Sequence, residues 1–375
     1  MRVAPLAVLL LAVAASPARA GDRRAERDVA RAAADLADVA RADPARRVAA
    51  VDALAGVARE GTVERASVVA ALVPGLADPV PDVRVRVAGA LASGFPRDPA
   101  AFGAVRARFA TERDEAVLAA LVLAAGALAT PADLAVLDPF VTSPSVRLRA
   151  AAATAIGDVG GAAARARLLA TLAAPGDDPD FAVRGAVFLA LARCGERADA
   201  GTILVAYRDG GGANRWFARA ALATAVAALD ADPVPVLDRL VADEDARVSS
   251  AAAVAFVRCG RPEEVVRRLA DARPGVRAAA AAAVADGGLV DEAPRLRALA
   301  TGDPDRAVRW SAALALSRLD DPAADEMLVA GLASNDPQVW AAAVAECRRK
   351  TGLSLGRDAD AWAAALAARR KGGRR

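Results

Sequence analysis

Apolar residues recur with the period of an α-helix through most of the chain. In one clear case, Val308, Ala312, Ala315 and Leu316 fall at positions i, i+4, i+7 and i+8, which places them on one side of a helix. No stretch alternates apolar and polar residues for long enough to predict a half-buried strand. The pattern therefore predicts an all-α fold in which each helix buries one apolar stripe.

A turn phrase repeats along the chain and divides it into units. The phrase consists of an Asp-Pro turn, then Val-Arg, then an alanine-rich stretch that ends in Leu or Gly, and its best copies begin at Asp78, Asp178 and Asp303. Alignment on the Val predicts ten units of about thirty-two residues, whose aligned positions are Val48, Val83, Val117, Val146, Val183, Phe217, Val248, Val276, Val308 and Val339.

Each unit has room for two helices and short connections. We therefore predict an α-solenoid, a superhelix of about ten helix-pair repeats in which each repeat touches only its neighbours. The Asp-Pro pairs are typical of helix starts, with Asp as N-cap and Pro at the first helical position, so we interpret them as structural and not as acidic ligand sites.

Composition supports an array of closely packed helices. Hydrophobic residues make up 55% of the 375 residues but aromatic residues only 3%, and alanine supplies most of the apolar count. Helices with such small side chains can approach closely. Without Arg2 and Arg19 of the amino-terminal segment, the 49 basic residues become 47 against 46 acidic ones, a net charge near +1. This balance predicts no strong attraction to polyanions, and we expect no nucleic-acid partner.

The amino terminus has the features of a secretory signal peptide. Arg2 precedes the apolar run Pro5 to Ala15, and the segment closes on Ala18-Arg19-Ala20. The apolar run has about half the length of roughly 20 residues that a membrane-spanning helix needs. We predict an exported protein, periplasmic or extracellular, with no membrane span after signal cleavage.

These features predict three segments: a signal peptide at residues 1–20, a repeat array at 21–352, and a C-terminal cap with a basic tail at 353–375. In the cap, Gly352 is expected to end the last repeat helix, Asp358 or Asp360 to start a short helix, and Trp362 to cover the exposed apolar end. Solenoids need such caps to stay soluble.

With its Val-Arg pairs, alanine blocks and terminal Leu or Gly, the chain resembles the bacterial HEAT-repeat family, including its phycobilisome-lyase-like branch. The resemblance covers roughly Asp28 to Gly352. It implies a solenoid but no single activity, because family members range from scaffolds to a few enzymes. The segment from Thr351 to Trp362 is similar to a tail of exported HEAT-repeat proteins, although Leu355 replaces an aromatic residue.

Little catalytic chemistry is available to this sequence. One enzymatic branch of the family holds metal through His-Glu pairs, and the chain has no histidine, which also removes Ser-His-Asp and Cys-His arrangements. No phosphate-binding glycine loop is present. We predict that the protein is not an enzyme and uses no cofactor or metal. Cys194, Cys259 and Cys347 are expected to be free, buried thiols.

We predict a scaffold that binds another protein through the solenoid surface, acting as a monomer, with the partner unidentified. Recurring arginines follow the aligned Val and form a row, for which two interpretations are open: a ladder paired with acidic turn residues of the adjacent unit, which we favour, or a ligand-binding stripe. Trp216, Trp310 and Trp340 do not share one helical face, and Trp340, in the place of an Arg, is the preferred surface anchor. The candidate partner-binding residues are Trp340, Trp310, Arg84, Arg147, Arg184, Arg277 and Arg309.

An alternative function is the binding of acidic polymers by the arginine row together with a basic tail. That tail comprises Arg369, Arg370, Lys371, Arg374 and Arg375, and alone is typical of a solvated, disordered end. Binding of this kind is expected to weaken sharply with salt. A further alternative, an uncharacterised enzyme of a HEAT-like branch, is disfavoured by the absence of histidine.

Overall fold

The computed structural model describes residues 20–39, 42–61, 63–173, 180–207 and 216–372. The predicted signal peptide, apart from Ala20, lies outside these ranges, as do the Asp178-Pro179 turn, Arg374 and Arg375. The described residues form α-helices and short 3₁₀ turns and contain no strand, which confirms the predicted all-α fold.

The helices are α1 (Ala20–Ala37), α2 (Pro44–Glu60), α3 (Arg65–Leu72), α4 (Pro81–Gly94), α5 (Pro99–Arg108), α6 (Glu115–Leu128), α7 (Asp138–Val141), α8 (Val146–Val159), α9 (Gly161–Ala173), α10 (Phe181–Cys194), α11 (Asp199–Ala206), α12 (Trp216–Leu229), α13 (Val234–Val241), α14 (Ala246–Arg258), α15 (Pro262–Arg268), α16 (Pro274–Asp286), α17 (Ala293–Gly302), α18 (Arg306–Arg318), α19 (Ala324–Leu332), α20 (Pro337–Thr351) and α21 (Ala359–Gly372).

The helices α1 to α20 form ten consecutive pairs, and α21 follows the last pair. The chain divides into two compact units, residues 1–159 with the first four pairs and residues 160–375 with the other six and α21. In the first unit the second helices pack side by side, α2 on α4, α4 on α6 and α6 on α8, and α10 to α18 do the same in the second unit. This packing is that of an α-solenoid, as predicted. Most second helices are longer than their first helices.

Acidic N-caps begin many of the second helices. The side chains of Asp114, Asp180 and Asp305 each accept hydrogen bonds from backbone N–H groups in the first turn of the helix that follows. The helix-start interpretation of Asp-Pro is confirmed at Asp43-Pro44 and Asp336-Pro337, where Asp is the N-cap and Pro the first helical residue.

At two of the best copies of the phrase, the Asp-Pro interpretation is wrong by two residues. The N-caps there are Val80 and Asp305, so Asp78 and Asp303 lie before the helix. Each of the two carboxylates accepts the backbone N–H two residues later, from Val80 or Asp305, and this fixes the turn. The other carboxylate oxygen of each first Asp accepts from an arginine of the preceding second helix, Arg47 for Asp78 and Arg277 for Asp303.

Small residues let neighbouring second helices approach closely. An added Cβ at Gly126 of α6 would lie 2.5 Å from the Cα of Ala155 in α8, so only glycine fits there. The predicted stripe of α18 is buried, with Val308, Ala312 and Leu316 fully inaccessible to solvent. The expectation of tight packing from the alanine-rich composition is confirmed at these contacts.

Helix α21 covers the end of the second unit. Gly352 ends α20 in the left-handed conformation, at φ 74°, and the carboxylate of Asp358 accepts the N–H of Ala361 at the start of α21. Trp362 is fully buried among α19, α20 and α21, and its indole N–H donates to the carbonyl of Gly356 over 3.0 Å. Gly352, Asp358 and Trp362 therefore have the places predicted for a cap.

The three cysteines are free, as predicted, but only Cys347 is buried. Cys194 and Cys259 are half-buried, because each lies at the last turn or end of its helix, where neighbouring helices leave part of the side chain uncovered. The prediction of three buried thiols is wrong for these two. No helix among the described residues combines the length and apolar character that crossing a membrane requires.

Candidate partner-binding surface

An arginine ladder runs along the second helices. Its arginines are always the fourth residue of the helix. In a complete case, the guanidinium is held both by the turn before its own helix and by the turn before the next second helix. Arg84 donates Nη1 to the carbonyl of Asp78 over 2.7 Å, and its Nε and Nη2 bind the two carboxylate oxygens of Glu112 at 2.8 and 2.9 Å. We call such an arginine with its carboxylate a rung.

Arg277 forms a second complete rung with the same geometry. Its Nη1 donates to the carbonyl of Asp271 over 2.8 Å, while Nε and Nη2 bind Asp303 at 2.7 and 2.8 Å. Two parallel N–H···O bonds between a guanidinium and a carboxylate are the strong, orientation-specific form of this interaction. The ladder interpretation of the arginine row is therefore confirmed for Arg84 and Arg277.

The pKa values of the rung carboxylates are set by burial and by these hydrogen bonds. Burial of Glu112 would raise its pKa, but hydrogen bonds from Arg84 and from two backbone N–H groups lower the pKa to about 2. Hydrogen bonds from Arg277 likewise lower the pKa of Asp303. Both carboxylates are therefore ionised at neutral pH and neutralise their arginines.

Sequence alignment on Val missed two rungs and misplaced one arginine. Arg47 binds Asp78 through Nε at 2.7 Å in a pair that is almost fully buried, and Arg219 pairs with Asp243. Arg147 lies outside the ladder, because α8 begins at Val146 and the fourth residue is Arg149, whose Nη1 donates to the carbonyls of Ser143 and Pro144. The side chain of Arg147 is 60% exposed instead.

The register of α8 and α12 follows their buried residues and not the aligned ones. The third residue of each helix is buried, Leu148 in α8 and Ala218 in α12, whereas Val146 and Phe217 are half-buried. Arg184 has the predicted ladder place in α10 and donates to the carbonyl of Ala206 over 3.3 Å.

The rung at Arg309 lacks its carboxylate. Nη1 of Arg309 donates to the carbonyls of Asp303 and Pro304 at 2.7 and 3.0 Å, as in the complete rungs. In the next turn Ser334 stands where the complete rungs have Asp or Glu, and its Oγ accepts the N–H of Asp336 as Asp303 accepts that of Asp305. Within the part of the chain that the structure describes, Nε and Nη2 of Arg309 have no hydrogen-bond acceptor.

A groove of about 370 Å³ opens beside this unfilled rung. The half-buried indole of Trp310 lies against Gly331, where an added Cβ would be 2.7 Å from the ring. The groove is lined by apolar and basic side chains from four helices and by the Ser334 turn: Ala300, Arg306, Arg309, Trp310, Ala313, Met327, Ala330, Gly331, Ser334 and Val339. It presents an apolar wall next to two cations.

The family model described as HEAT repeats matches residues 262–347, which contain α15 to α19 and most of α20. These residues are HEAT repeats. Most of the other helix pairs follow the same plan of a shorter first helix and a longer second helix, and several carry the same arginine at the fourth position. All residues that line the groove beside Trp310 fall between positions 300 and 339. The groove therefore lies within the matched HEAT repeats.

Solved structures with a similar fold share little sequence with this chain. Human deoxyhypusine hydroxylase, in complex with glycerol, is 17% identical with a TM-score of 0.34, over 80% of this chain and 98% of that one. The complex of CpcE and CpcF of phycocyanin lyase from Nostoc sp. PCC7120 is 18% identical with a TM-score of 0.33, over 74% and 92%. Kap121p bound to Ste12p is 13% identical with a TM-score of 0.34, over 90% and 46%. No curated protein matches the chain.

Trp340 is the fourth residue of α20, which is the ladder position. Its side chain contacts Arg357, in the segment between α20 and α21, and has no carboxylate partner as a ladder arginine would. The guanidinium of Arg357 lies 4.9 Å above its ring and also donates to the carbonyls of Leu332 and Ser334. Trp340 is half-buried, and its role as a surface anchor stays a prediction. Trp310 and Trp340 both lie near the end of the HEAT repeats, whereas Trp216 stacks under Arg247 in an earlier repeat.

The described part of the basic tail is helical, and its two arginines form ion pairs. Arg369 binds Asp320 at 2.9 Å, and Arg370 binds Asp325 at 2.6 Å, while the buried ammonium of Lys350 contacts the other oxygen of Asp325. The expectation of a disordered, solvated tail is wrong for Arg369 and Arg370, because α21 continues to Gly372. Across the described ranges, no three His, Cys, Asp or Glu side chains are grouped so as to hold a metal ion.

Proposed function

We propose that this HEAT-repeat chain is a non-catalytic protein-binding scaffold whose partner docks in the groove beside Trp310. The observation that carries the proposal is the combination of a half-buried Trp with Arg306 and Arg309 in one groove, whereas Arg84 and Arg277 at the ladder position are held by carboxylates of the same chain. Trp and Arg are enriched among the few residues that carry most of the binding energy at protein interfaces. The groove has room for a few partner side chains.

Binding of acidic polymers is the alternative, and the ladder weakens it. Arg84 and Arg277 are engaged by buried carboxylates, and Arg369 and Arg370 are paired with Asp320 and Asp325. A polyanion would have to displace these internal partners. The formal net charge of +3 adds little attraction.

The proposal of a non-catalytic role rests on side-chain chemistry. The chain has no histidine to act as a general base. Burial raises the pKa of the Cys347 thiol to about 11, which keeps it protonated and a poor nucleophile at neutral pH. A hydroxylase and a lyase occur among the similar folds, but those activities are stated for those proteins.

Export to the periplasm or the cell exterior, by cleavage after Ala20, is part of the proposal. Its support is the charged and apolar pattern of residues 1–20. Amino-terminal sequencing of the protein recovered from the exported fraction should begin at Gly21, and recovery only of chain that begins at Met1 would contradict export. We also propose a monomer, which light scattering of the purified chain tests directly.

Affinity capture with matched surface variants tests the scaffold. Arg306 and Arg295 have equally exposed side chains, at 60%, but only Arg306 lines the groove, so Arg306→Glu and Arg295→Glu change charge equally at different places. We expect wild type and Arg295→Glu to capture one discrete protein from the exported fraction at low and moderate salt. Arg306→Glu and Trp310→Ala should lose it, with circular dichroism confirming that both variants are folded.

Other outcomes have a definite meaning. Equal capture by all four proteins would place the partner away from the groove. Recovery of nucleic acid or acidic polysaccharide at low salt alone would favour the polyanion alternative, since phosphate and sulfate contacts weaken steeply with salt.

A further inference from the structure

We propose that the unfilled rung at Arg309 is a binding site for an acidic side chain, Asp or Glu, of the partner protein. The inference rests on the proposed scaffold function and deepens it, because it names the chemical group that the groove recognises. Its basis is the comparison of Arg309 with Arg277, one repeat earlier, which has the same place in its helix and a complete rung.

The guanidinium of Arg309 is already oriented for a carboxylate. Its Nη1 is held by the carbonyls of Asp303 and Pro304, just as Nη1 of Arg277 is held by those of Asp271 and Ala272. In the Arg277 rung, this arrangement directs Nε and Nη2 at two oxygens of one carboxylate, at 2.7 and 2.8 Å. Because the fork is held before binding, little side-chain entropy is lost when an acid enters.

The chain does not supply that acid. Ser334 has the turn position of Asp303, but its hydroxyl accepts a hydrogen bond from Nη2 of Arg306 at 2.8 Å and from the Asp336 N–H at 3.1 Å. The Asp336 carboxylate lies 3.9 Å from Arg306 and caps α20 by accepting the N–H of Gln338. Arg306 and Arg309 thus bring more positive charge to the groove than its own acids neutralise.

Charge and shape together favour an acidic side chain with an apolar neighbour. The rungs at Arg84 and Arg277 show that this fork binds a carboxylate in a bidentate manner, and a planar guanidinium matches that group. Trp310, Val339 and Met327 provide an apolar wall beside the fork. A partner segment with Asp or Glu next to an apolar residue would satisfy both.

The test uses twelve-residue random peptides displayed on phage and selected on the full exported chain at moderate salt. Selected peptides are then synthesised with each Asp or Glu either kept or replaced by Asn or Gln. We expect one acidic position whose amide weakens binding to wild type by about tenfold or more, the usual size of a charge-assisted hydrogen-bond pair. The same amide should have little effect on binding to Arg309→Leu.

Ser334→Asp is the sharper variant, because it should close the rung from within. It gives Arg309 the same carboxylate partner that Asp303 provides for Arg277. The unfolding temperature should therefore stay the same or rise, while carboxylate-dependent peptide binding should be lost. Arg295→Glu, which alters charge outside the groove, should bind the selected peptides as wild type does.

The possible failures are distinguishable. Selected peptides that bind Ser334→Asp, Arg309→Leu and wild type equally would overturn the carboxylate site and leave the scaffold proposal intact. Peptides whose binding needs Trp310 but no acidic residue would also overturn it. Failure to select any peptide, together with failure of affinity capture, would overturn both proposals, and a heparin fragment that binds wild type but not Arg309→Leu would replace the acidic side chain by a polyanion.

Discussion

Gly126→Ala places a methyl group where α6 touches α8. The new Cβ would lie 2.5 Å from the Cα of Ala155 and 2.8 Å from its carbonyl oxygen, and both are backbone atoms that cannot rotate away. Relief to an ordinary contact needs the helices to separate by about 1 Å, and such overpacking costs about 1–3 kcal/mol. The gain in helix propensity, about 1 kcal/mol, offsets only part of this. We expect a net loss of up to about 2 kcal/mol in the free energy of unfolding.

Gly56→Ala is the matched control in the same unit. Gly56 lies inside α2, and an added Cβ there would meet no atom within 4 Å, so only the propensity gain remains and stability should rise by up to about 1 kcal/mol. Urea unfolding of both variants, followed by circular dichroism, gives the midpoints. Hydrogen exchange of peptides from α6 and α8 reads the local effect without assuming a single transition. Two shifts in the same direction would refute the reasoning.

Three further predictions follow from buried groups. The pKa of Glu112 is about 2 in the folded chain, so its rung with Arg84 stabilises fully above the ordinary pKa of about 4.5 and is lost as pH falls toward 2; the stability difference between wild type and Glu112→Gln in urea should therefore shrink over that range. Trp362→Ala should lower the free energy of unfolding by about 3–5 kcal/mol in thermal or urea unfolding, because it empties a buried site under α21. In the folded chain iodoacetamide should modify Cys259 before Cys347, which is buried, and equal rates would contradict the described burial.

The number of repeats could be predicted from the sequence because most second helices carry a buried apolar residue near their start. Val83, Val183 and Val308 are buried at the third helical position, as the turn phrase indicates. The turn phrase gives the wrong helix start where the residue that caps the amino terminus of the helix differs. In α8 the hydroxyl of Ser145 accepts the N–H of Leu148, so the helix begins two residues later than the Val-Arg match implies.

The members of the ladder were harder to predict, because a rung joins residues about thirty positions apart. Arg47 and Arg219 follow Arg46 and Ala218, not Val, so the Val-Arg pattern cannot find them. A different signal finds both: an Arg at the fourth position of one second helix and an Asp or Glu two residues before the N-cap of the next. Asp78 and Asp243 have that position.

The surroundings of Arg309 explain why the unfilled rung is compatible with a stable fold. Arg309 keeps its carbonyl bonds and stays half-exposed in the groove, so omission of the carboxylate leaves no buried, unpaired charge, and a half-exposed ion pair is worth only about 0–1 kcal/mol. A partner acid that enters the fork and excludes water gains a stronger, charge-assisted contact. Wild type and Ser334→Asp should therefore differ much more in binding than in stability, because a single side chain decides whether the fork is filled by the chain or by its partner.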